Sequence, residues 1–222
     1  MFSIKRGISV LLALVMVALA LTIFPACQKE DESFLLARAE KLIEKSLVIN
    51  RLFFYEGIPT LADAEAESGY LPADMVELYM LGFESVADIK AYMQEVFSPL
   101  LCGIMFDSYL FSPVYNGDML VDITYCYDHY ETLYGGEERF VGVYVSCEGL
   151  SVKTSPTEYH YETMHITSNK RDRVVISMVV TVYSEDGASQ DTDLGVQLVK
   201  TESGIWLLDS YTAASYFTPP QM

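Results

Sequence analysis

With 31 acidic and 14 basic residues in a chain of 222, and a formal net charge of −17, this protein is a poor partner for nucleic acid, because a phosphate backbone is gripped by a basic surface. No polybasic segment offers a hold on anionic lipid either. Apolar residues make up 51% of the chain and aromatic ones 13%, which suits a packed core and argues against intrinsic disorder.

Lys5 and Arg6 precede an uncharged run from Gly7 to Ala26, which stops at Phe24-Pro25-Ala26-Cys27, just before Lys29-Glu30-Asp31-Glu32. A basic head, an apolar core and a small residue before a cysteine resemble a bacterial lipoprotein signal peptide. The resemblance implies that residues 1–26 are removed. Cys27 then carries a diacylglyceryl group, and the mature protein sits on the extracytoplasmic face of the cell membrane. The competing reading is an uncleaved membrane helix, since about 17 to 25 apolar residues suffice to span. Cleavage removes Lys5 and Arg6, so the mature charge is 12 minus 31, or −19. Attachment then rests on the acyl chains, each buried methylene contributing roughly 0.8 kcal/mol. Residues 27–32 form a short tether. The negative charge supplies solubility at a cell surface, or attraction to a basic partner such as a cationic wall enzyme.

From Ser33 to about Phe54, Leu35, Leu36, Ala39, Leu42, Ile43, Ser46 and Leu47 recur at helical spacing while Arg38, Glu40, Lys41, Glu44 and Lys45 fill the other face. The spacing predicts one long amphipathic helix, ended by Gly57 and Pro59. Residues Leu61 to Tyr70 read as a polar loop or short helix. Pro72-Ala73-Asp74 opens a brief helix over Met75–Leu81. Ser85-Val86-Ala87-Asp88 resembles a capping box with Asp in place of Glu, and Val86, Ile89, Tyr92, Met93 and Val96 form the buried stripe behind it. Ser98-Pro99 starts a short helix running to about Phe106.

The apolar period then changes from 3.6 to 2. Tyr109–Val114, Asn116-Gly117-Asp118 and Met119–Tyr127 read as a hairpin, with Val121, Ile123, Tyr125 and Tyr127 on one face of its second arm. Further strands are expected at Phe140–Cys147, with Val141, Val143, Val145 and Cys147 on one face, and at Tyr159–Thr167, Arg173–Tyr183, Leu194–Thr201 and Ile205–Tyr211. The turns at Asn169, Asp186-Gly187 and Gly204 are short, so successive strands should be antiparallel neighbours. Helices followed by an antiparallel meander is the α+β order, and residues 212–222 are expected to be a flexible tail.

A long helix, a shorter one, and strands ending in Gly204-Ile205-Trp206-Leu207-Leu208-Asp209-Ser210 resemble the NTF2-like family. In that family a bent sheet wraps a helix in a cone, and the last strand often reads Gly-x-Trp-x-Leu or Ile-x-Ser. The layout is similar to lipoproteins and secreted proteins of Gram-positive bacteria, including the cell-wall DL-endopeptidase inhibitor type, and covers residues 33–211 in order of elements. It implies helices on a curved antiparallel sheet in a non-enzymatic binding protein, with a basic peptidoglycan hydrolase as one concrete partner. A passive place in a secretion or sporulation complex is a third role that such domains fill.

Titratable groups gather at Tyr159-His160-Tyr161-Glu162 with His165, and at Asp128-His129. On a strand His160 and Glu162 share a face, close enough for a carboxylate to orient an imidazole as general base. Enzymes of the NTF2-like family, such as ketosteroid isomerases and dehydratases, use an Asp or a His-Asp pair inside the cone. His160, Glu162, Asp128 and His129 are therefore the candidates for an isomerase-like or small-molecule-binding alternative, against ordinary exposed strand polarity. His160 and His165, five apart, should lie on opposite faces of a strand, and no metal-ligand spacing, phosphate loop or nucleophile elbow is present, so no cofactor is expected. Tyr125, Tyr127, Tyr130, Tyr134, Tyr159 and Tyr161 crowd one part of the sheet, either as a partner-binding face or as cross-strand packing. Of Cys27, Cys102, Cys126 and Cys147, lipidation of the first leaves an odd number. Cys126 and Cys147 meet only if their strands pair around Gly135-Gly136, and otherwise the thiols are buried and free.

Overall fold

A computed structural model describes residues 30–106, 114–116, 119–122, 125–147, 155–184 and 186–213. The leader, Cys27, Gln28 and Lys29 of the tether, the hairpin arm from Tyr109 to Pro113, Gly117 and Asp118 of its turn, Ile123 of its second arm and the tail past residue 213 lie outside the described residues.

The long helix α1 spans Glu32–Asn50 and buries Leu35, Ala39, Leu42, Ile43, Ser46, Ile49 and Asn50, a single stripe at i, i+4, i+7 and i+11. It runs into a π-helical turn, Arg51–Tyr55, that buries Leu52, Phe53 and Phe54 in succession. The widened turn ends at Gly57, whose φ of +89° suits a residue without a Cβ. Three short helices follow. In α2 (Met75–Met80) the Asp74 carboxylate accepts from the N–H groups of Val76 and Glu77, in α3 (Val86–Val96) Ser85 accepts from Asp88, and in α4 (Pro99–Met105) Ser98 accepts from Leu101 with Pro in the first turn. The box at Ser85 differs from the expected form in one respect. Asp88 Oδ2 accepts from the N–H of Glu84 at 3.0 Å rather than from that of Ser85, and Ser85 Oγ donates to the same carboxylate at 2.8 Å.

The strands are β1 (Tyr70–Pro72), β2 (Val114–Asn116), β3 (Met119–Asp122), β4 (Cys126–Thr132), β5 (Glu138–Ser146), β6 (Thr157–Asn169), β7 (Arg173–Tyr183), β8 (Ser189–Lys200) and β9 (Trp206–Leu208). They form antiparallel sheets in the orders β1-β5-β4 and β6-β7-β8-β9, with a separate β2-β3 pair. The chain is thus a mixed α+β protein in which the expected meander is divided, because β5 takes β1 along its second edge instead of β6. Tyr70–Pro72, which the sequence reads as the end of a polar loop or short helix and the opening of the next helix, is instead strand β1. Of the long arm predicted from Met119 to Tyr127, the described residues give β3 and β4, which pair with different strands, with Tyr125 in neither, and the last strand stops at Leu208.

In β7, alternate residues Val174, Ile176, Met178, Val180 and Val182 are buried. With Val196 and Leu198 of β8 they share one core with the α1 stripe and with Ile89, Met93 and Val96 of α3. Each such side chain contributes roughly 1.5 to 3 kcal/mol on removal from water. Three of the polar residues in this core bond to one another. Ser46 Oγ donates to the Ile43 carbonyl at 2.7 Å, so the Thr212 hydroxyl donates to Ser46 and accepts from Asn50 Nδ2 at 2.9 Å. Thr212, fully buried, therefore belongs to the domain, and any tail begins after it.

Candidate functional site

His160 stands on the face of the β6–β9 sheet that points away from the helices. It pairs with Val179, whose neighbours Met178 and Val180 face the core. Its Nε2 lies 2.7 Å from Thr181 Oγ1, and that hydroxyl donates onward to Asp191 Oδ1 at 2.6 Å. One hydroxyl proton cannot serve both, so Nε2 is the donor to Thr181. Glu162, three-quarters exposed, approaches His160 Nδ1 only to 3.8 Å, beyond hydrogen-bond reach. The proposed orienting carboxylate is therefore not bonded to the imidazole. Asp191 holds it instead, through Thr181, on an open sheet face.

Between His160 and His165 strand β6 takes five steps while β7 takes two, from Val179 to Ser177. The bulge brings both histidines to the outer face, which corrects the expectation of opposite faces. Thr163 stitches the irregular stretch, its hydroxyl accepting from the Val179 N–H at 2.8 Å and donating to the His160 carbonyl at 2.7 Å. Even so, among the described residues no group of three or more His, Cys, Asp or Glu side chains is placed to hold a metal.

Asp128 and His129 separate. Asp128 Oδ1 accepts from the backbone N–H of Val86 at 2.8 Å, so its carboxylate sits at the N-terminus of α3, where the helix dipole favours a negative charge. His129 lies over Tyr144, ring centroids 4.3 Å apart. These two residues are joined to different parts of the fold and form no catalytic pair with His160 and Glu162.

The six tyrosines also disperse. Tyr125 is buried under the π-helical turn, its hydroxyl 3.1 Å from the Ile58 N–H and its ring edge-on to Phe53. Tyr159 is largely buried beside α1, donating to the Thr212 carbonyl at 2.8 Å, and stacks on Tyr161 at 6.2 Å. Burial pushes the Tyr161 hydroxyl up to about 12 and raises that of Tyr159 further. Tyr130 and Tyr134 are exposed where β4 turns into β5, with Tyr130 edge-on to Phe140 at 5.6 Å. A single binding face of all six rings is not formed.

A tighter aromatic group takes its place on the outer face of β1-β5-β4. Tyr127 and Tyr144 are register partners with centroids 5.9 Å apart. Tyr70 of β1 meets Tyr127 edge-on at 4.9 Å, and His129 lies 6.1 Å from Tyr127. All four are half-buried. The opposite face of the same strands carries Cys126, Val143 and Val145, fully packed. Met75 covers Gly142 at one border of the group. Glu67 adds negative charge near Tyr127, whose hydroxyl is raised first by burial and then by that carboxylate and Tyr144. Sequence reading supplied Tyr127 and His129. It missed Tyr70 and Tyr144 because only the pairing of β1 and β4 on β5 brings them together.

Strands β4 and β5 do pair around Gly135-Gly136, but Cys126 is opposite Val145 and fully buried, while Cys147 is exposed, and both are free thiols. A cleft of about 450 Å³ lies between the π-helical turn and α2, lined by Arg51, Glu56, Glu77 and Met80 among others. A shallower groove of about 670 Å³ lies between the start of α4 and the β8–β9 turn. His160, Glu162, Asp128 and His129 line neither. Compared with protein-family models, curated proteins and solved structures, the chain gives no match.

Proposed function

We propose that this protein is a non-enzymatic extracytoplasmic lipoprotein, tied to the membrane through Cys27, that binds a basic protein partner with the aromatic outer face of β1-β5-β4. The observation that carries the reading is the contiguous group Tyr70, Tyr127, Tyr144 and His129, half-exposed on a sheet in a chain of net charge −17. Tyrosine rings combine contact area with a polar tip at low entropic cost, and surrounding negative charge speeds encounter with a cationic protein. The NTF2-like reading of the fold is supported by α1 packed on β6 and β9 and by Trp206 in the closing strand. A peptidoglycan hydrolase is the specific partner suggested by that likeness; the analogy is one of fold and charge.

The test is retention of basic wall hydrolases on the immobilised protein at low and high salt, beside the variants Tyr127→Ser and Tyr144→Ser. A central aromatic contact carries ~2 kcal/mol or more, roughly thirtyfold in affinity, so either variant should release the partner at low salt. Binding that ignores both substitutions, or an empty column at low salt where charge attraction is strongest, refutes the proposal. The mass of the N-terminal peptide tests the anchor separately.

A further inference from the structure

Past the leader, no run of basic residues exceeds the pair Lys170-Arg171, yet the fold gathers the scattered cations at one place. The β6–β7 turn carries Lys170 and Arg171, Arg173 opens β7 opposite Val199, and the Lys200 N–H donates to the Asp172 carbonyl at 2.8 Å. Lys200 Nζ stands 5.6 Å from the centre of the Trp206 ring and pairs with Glu30. From α1, Arg38 donates twice to the Trp206 carbonyl, at 3.1 and 3.0 Å. Five cations from three parts of the chain thus meet where the tether enters the domain.

The other end of the same sheet has the opposite character. No Lys or Arg stands between residues 174 and 199, while Asp186 lies in the β7–β8 turn, Glu158 and Asp191 both pair with Thr181 near it, and Asp193 follows further along β8. Strands of 11 and 12 residues separate the two ends by roughly 35 Å at about 3.3 Å per residue, several times the ~8 Å Debye length. At the tether end Glu30 and Asp209 pair with Lys200 and Arg173, and Asp31, Glu32, Asp172 and Glu202 further offset the five cations, so that end is near charge balance while the β7–β8 end carries carboxylates and, among the described residues, no Lys or Arg. Exposed apolar side chains join the cations there. Phe34 lies one helical turn before Arg38, Ile205 precedes Trp206, and Leu100 lines the same groove as Lys200; they are 51%, 52% and 68% exposed.

We infer that this tether-bearing end, with Lys170, Arg171, Arg173, Lys200, Phe34, Leu100 and Ile205, is the face the domain seats on an anionic lipid surface, its acidic β7–β8 end directed away. The inference rests on the proposed anchor at Cys27. Three Cα-to-Cα steps of at most ~3.6 Å each separate Cys27 from Glu30, so a tether pinned by the Lys200–Glu30 pair holds this end within about 11 Å of the acylated cysteine. The negative potential of the lipid surface repels the far end and, at this short range, attracts the exposed cations of the near one.

Trp206 is the only tryptophan in the chain and, though buried, lies under the proposed contact face, with Lys200 Nζ 5.6 Å from its ring. The full acylated chain is reconstituted on phosphatidylcholine vesicles with and without phosphatidylglycerol, both carrying spin-labelled headgroups. Trp206 fluorescence should be quenched on the anionic vesicles, and the quenching should fall at least twofold with Lys170→Glu/Arg171→Glu or in high salt. A reporter moved to the far end, Tyr183→Trp with Trp206→Phe, should stay bright. Protein that floats with the vesicles while Trp206 remains unquenched, or is quenched equally on both lipids and in the charge-reversed variant, overturns the seating and leaves the anchor standing. Protein that does not float overturns the anchor reading and the seating with it.

Discussion

Replacing Asp128 separates a catalytic carboxylate from a structural one. Its Oδ1 takes the Val86 N–H at 2.8 Å, one of the donors that α3 leaves unsatisfied at its start. Hydrogen bonds to charged groups contribute about 1.5 to 3 kcal/mol, and the favourable helix-dipole contact overlaps with that figure rather than adding to it. Asp128→Ala should therefore cost ~2 kcal/mol. In a domain of this size each kcal/mol moves Tm by roughly 2 to 4 °C, giving a drop of about 4 to 8 °C in thermal unfolding followed by circular dichroism. Asp128→Asn keeps an acceptor, loses the charge, and should cost about half as much. Ser85→Ala, which removes the Ser85 bond to the Asp88 N–H at the same helix end, should cost ~1 kcal/mol, and the two losses should not add, because both act on one helix terminus. A catalytic carboxylate held against stability predicts the reverse sign. An Asp128→Ala protein with unchanged or raised Tm refutes the capping role.

Gly57→Ala should destabilise by about 1 kcal/mol or more in urea titration, since the φ is +89° and the new Cβ would meet the Tyr125 hydroxyl at 3.1 Å. Tyr161 Oη is buried without a hydrogen-bond partner, so Tyr161→Phe should be neutral or stabilising at neutral pH in the same titration. Raised Tyr159 and Tyr161 hydroxyls favour the protonated form in the folded state. That stability is fully present below about pH 10, the ordinary tyrosine value, and is lost as pH rises through the folded values, because the unfolded chain gives up its protons first. Unfolding followed against pH should show stability falling above about pH 10, and less steeply in Tyr161→Phe. Burial raises the Cys102 thiol to about 11 and that of Cys126 further, so a thiol reagent at pH 8 should modify exposed Cys147 rapidly and the other two only on unfolding.

The helices and most strands were legible because each is written in local repetition. The α1 stripe needs no partner to be recognised, and Arg173–Tyr183 alternates through eleven residues, so its bounds coincide with those of β7. The Ser85 and Ser98 caps are local bonds and could be placed from four residues each. What could not be read is pairing across the chain. Nothing local in Tyr70-Leu71-Pro72 announces that it will complete the edge of β5, and nothing in Asp128 points to a helix 42 residues earlier.

Candidate chemistry was harder to read than core for a related reason. Burying a stripe of valines is a sum over many side chains, and one misplaced residue changes it little. Which face a strand residue occupies is a single alternative, and every bulge between it and its reference reverses or resets the answer. The irregular step between His160 and His165 put both histidines on one side. Tyr125, outside β4, turns into the core next to buried Cys126, so that adjacent residues, expected on opposite faces, are both interior. The same logic explains why Tyr127, His129 and Tyr144 hold together. They lie on an uninterrupted stretch of ladder, before the shift that follows His129, where alternation still counts correctly, and that is why this aromatic face, rather than the histidine-bearing one, is the surface whose composition follows from its strands.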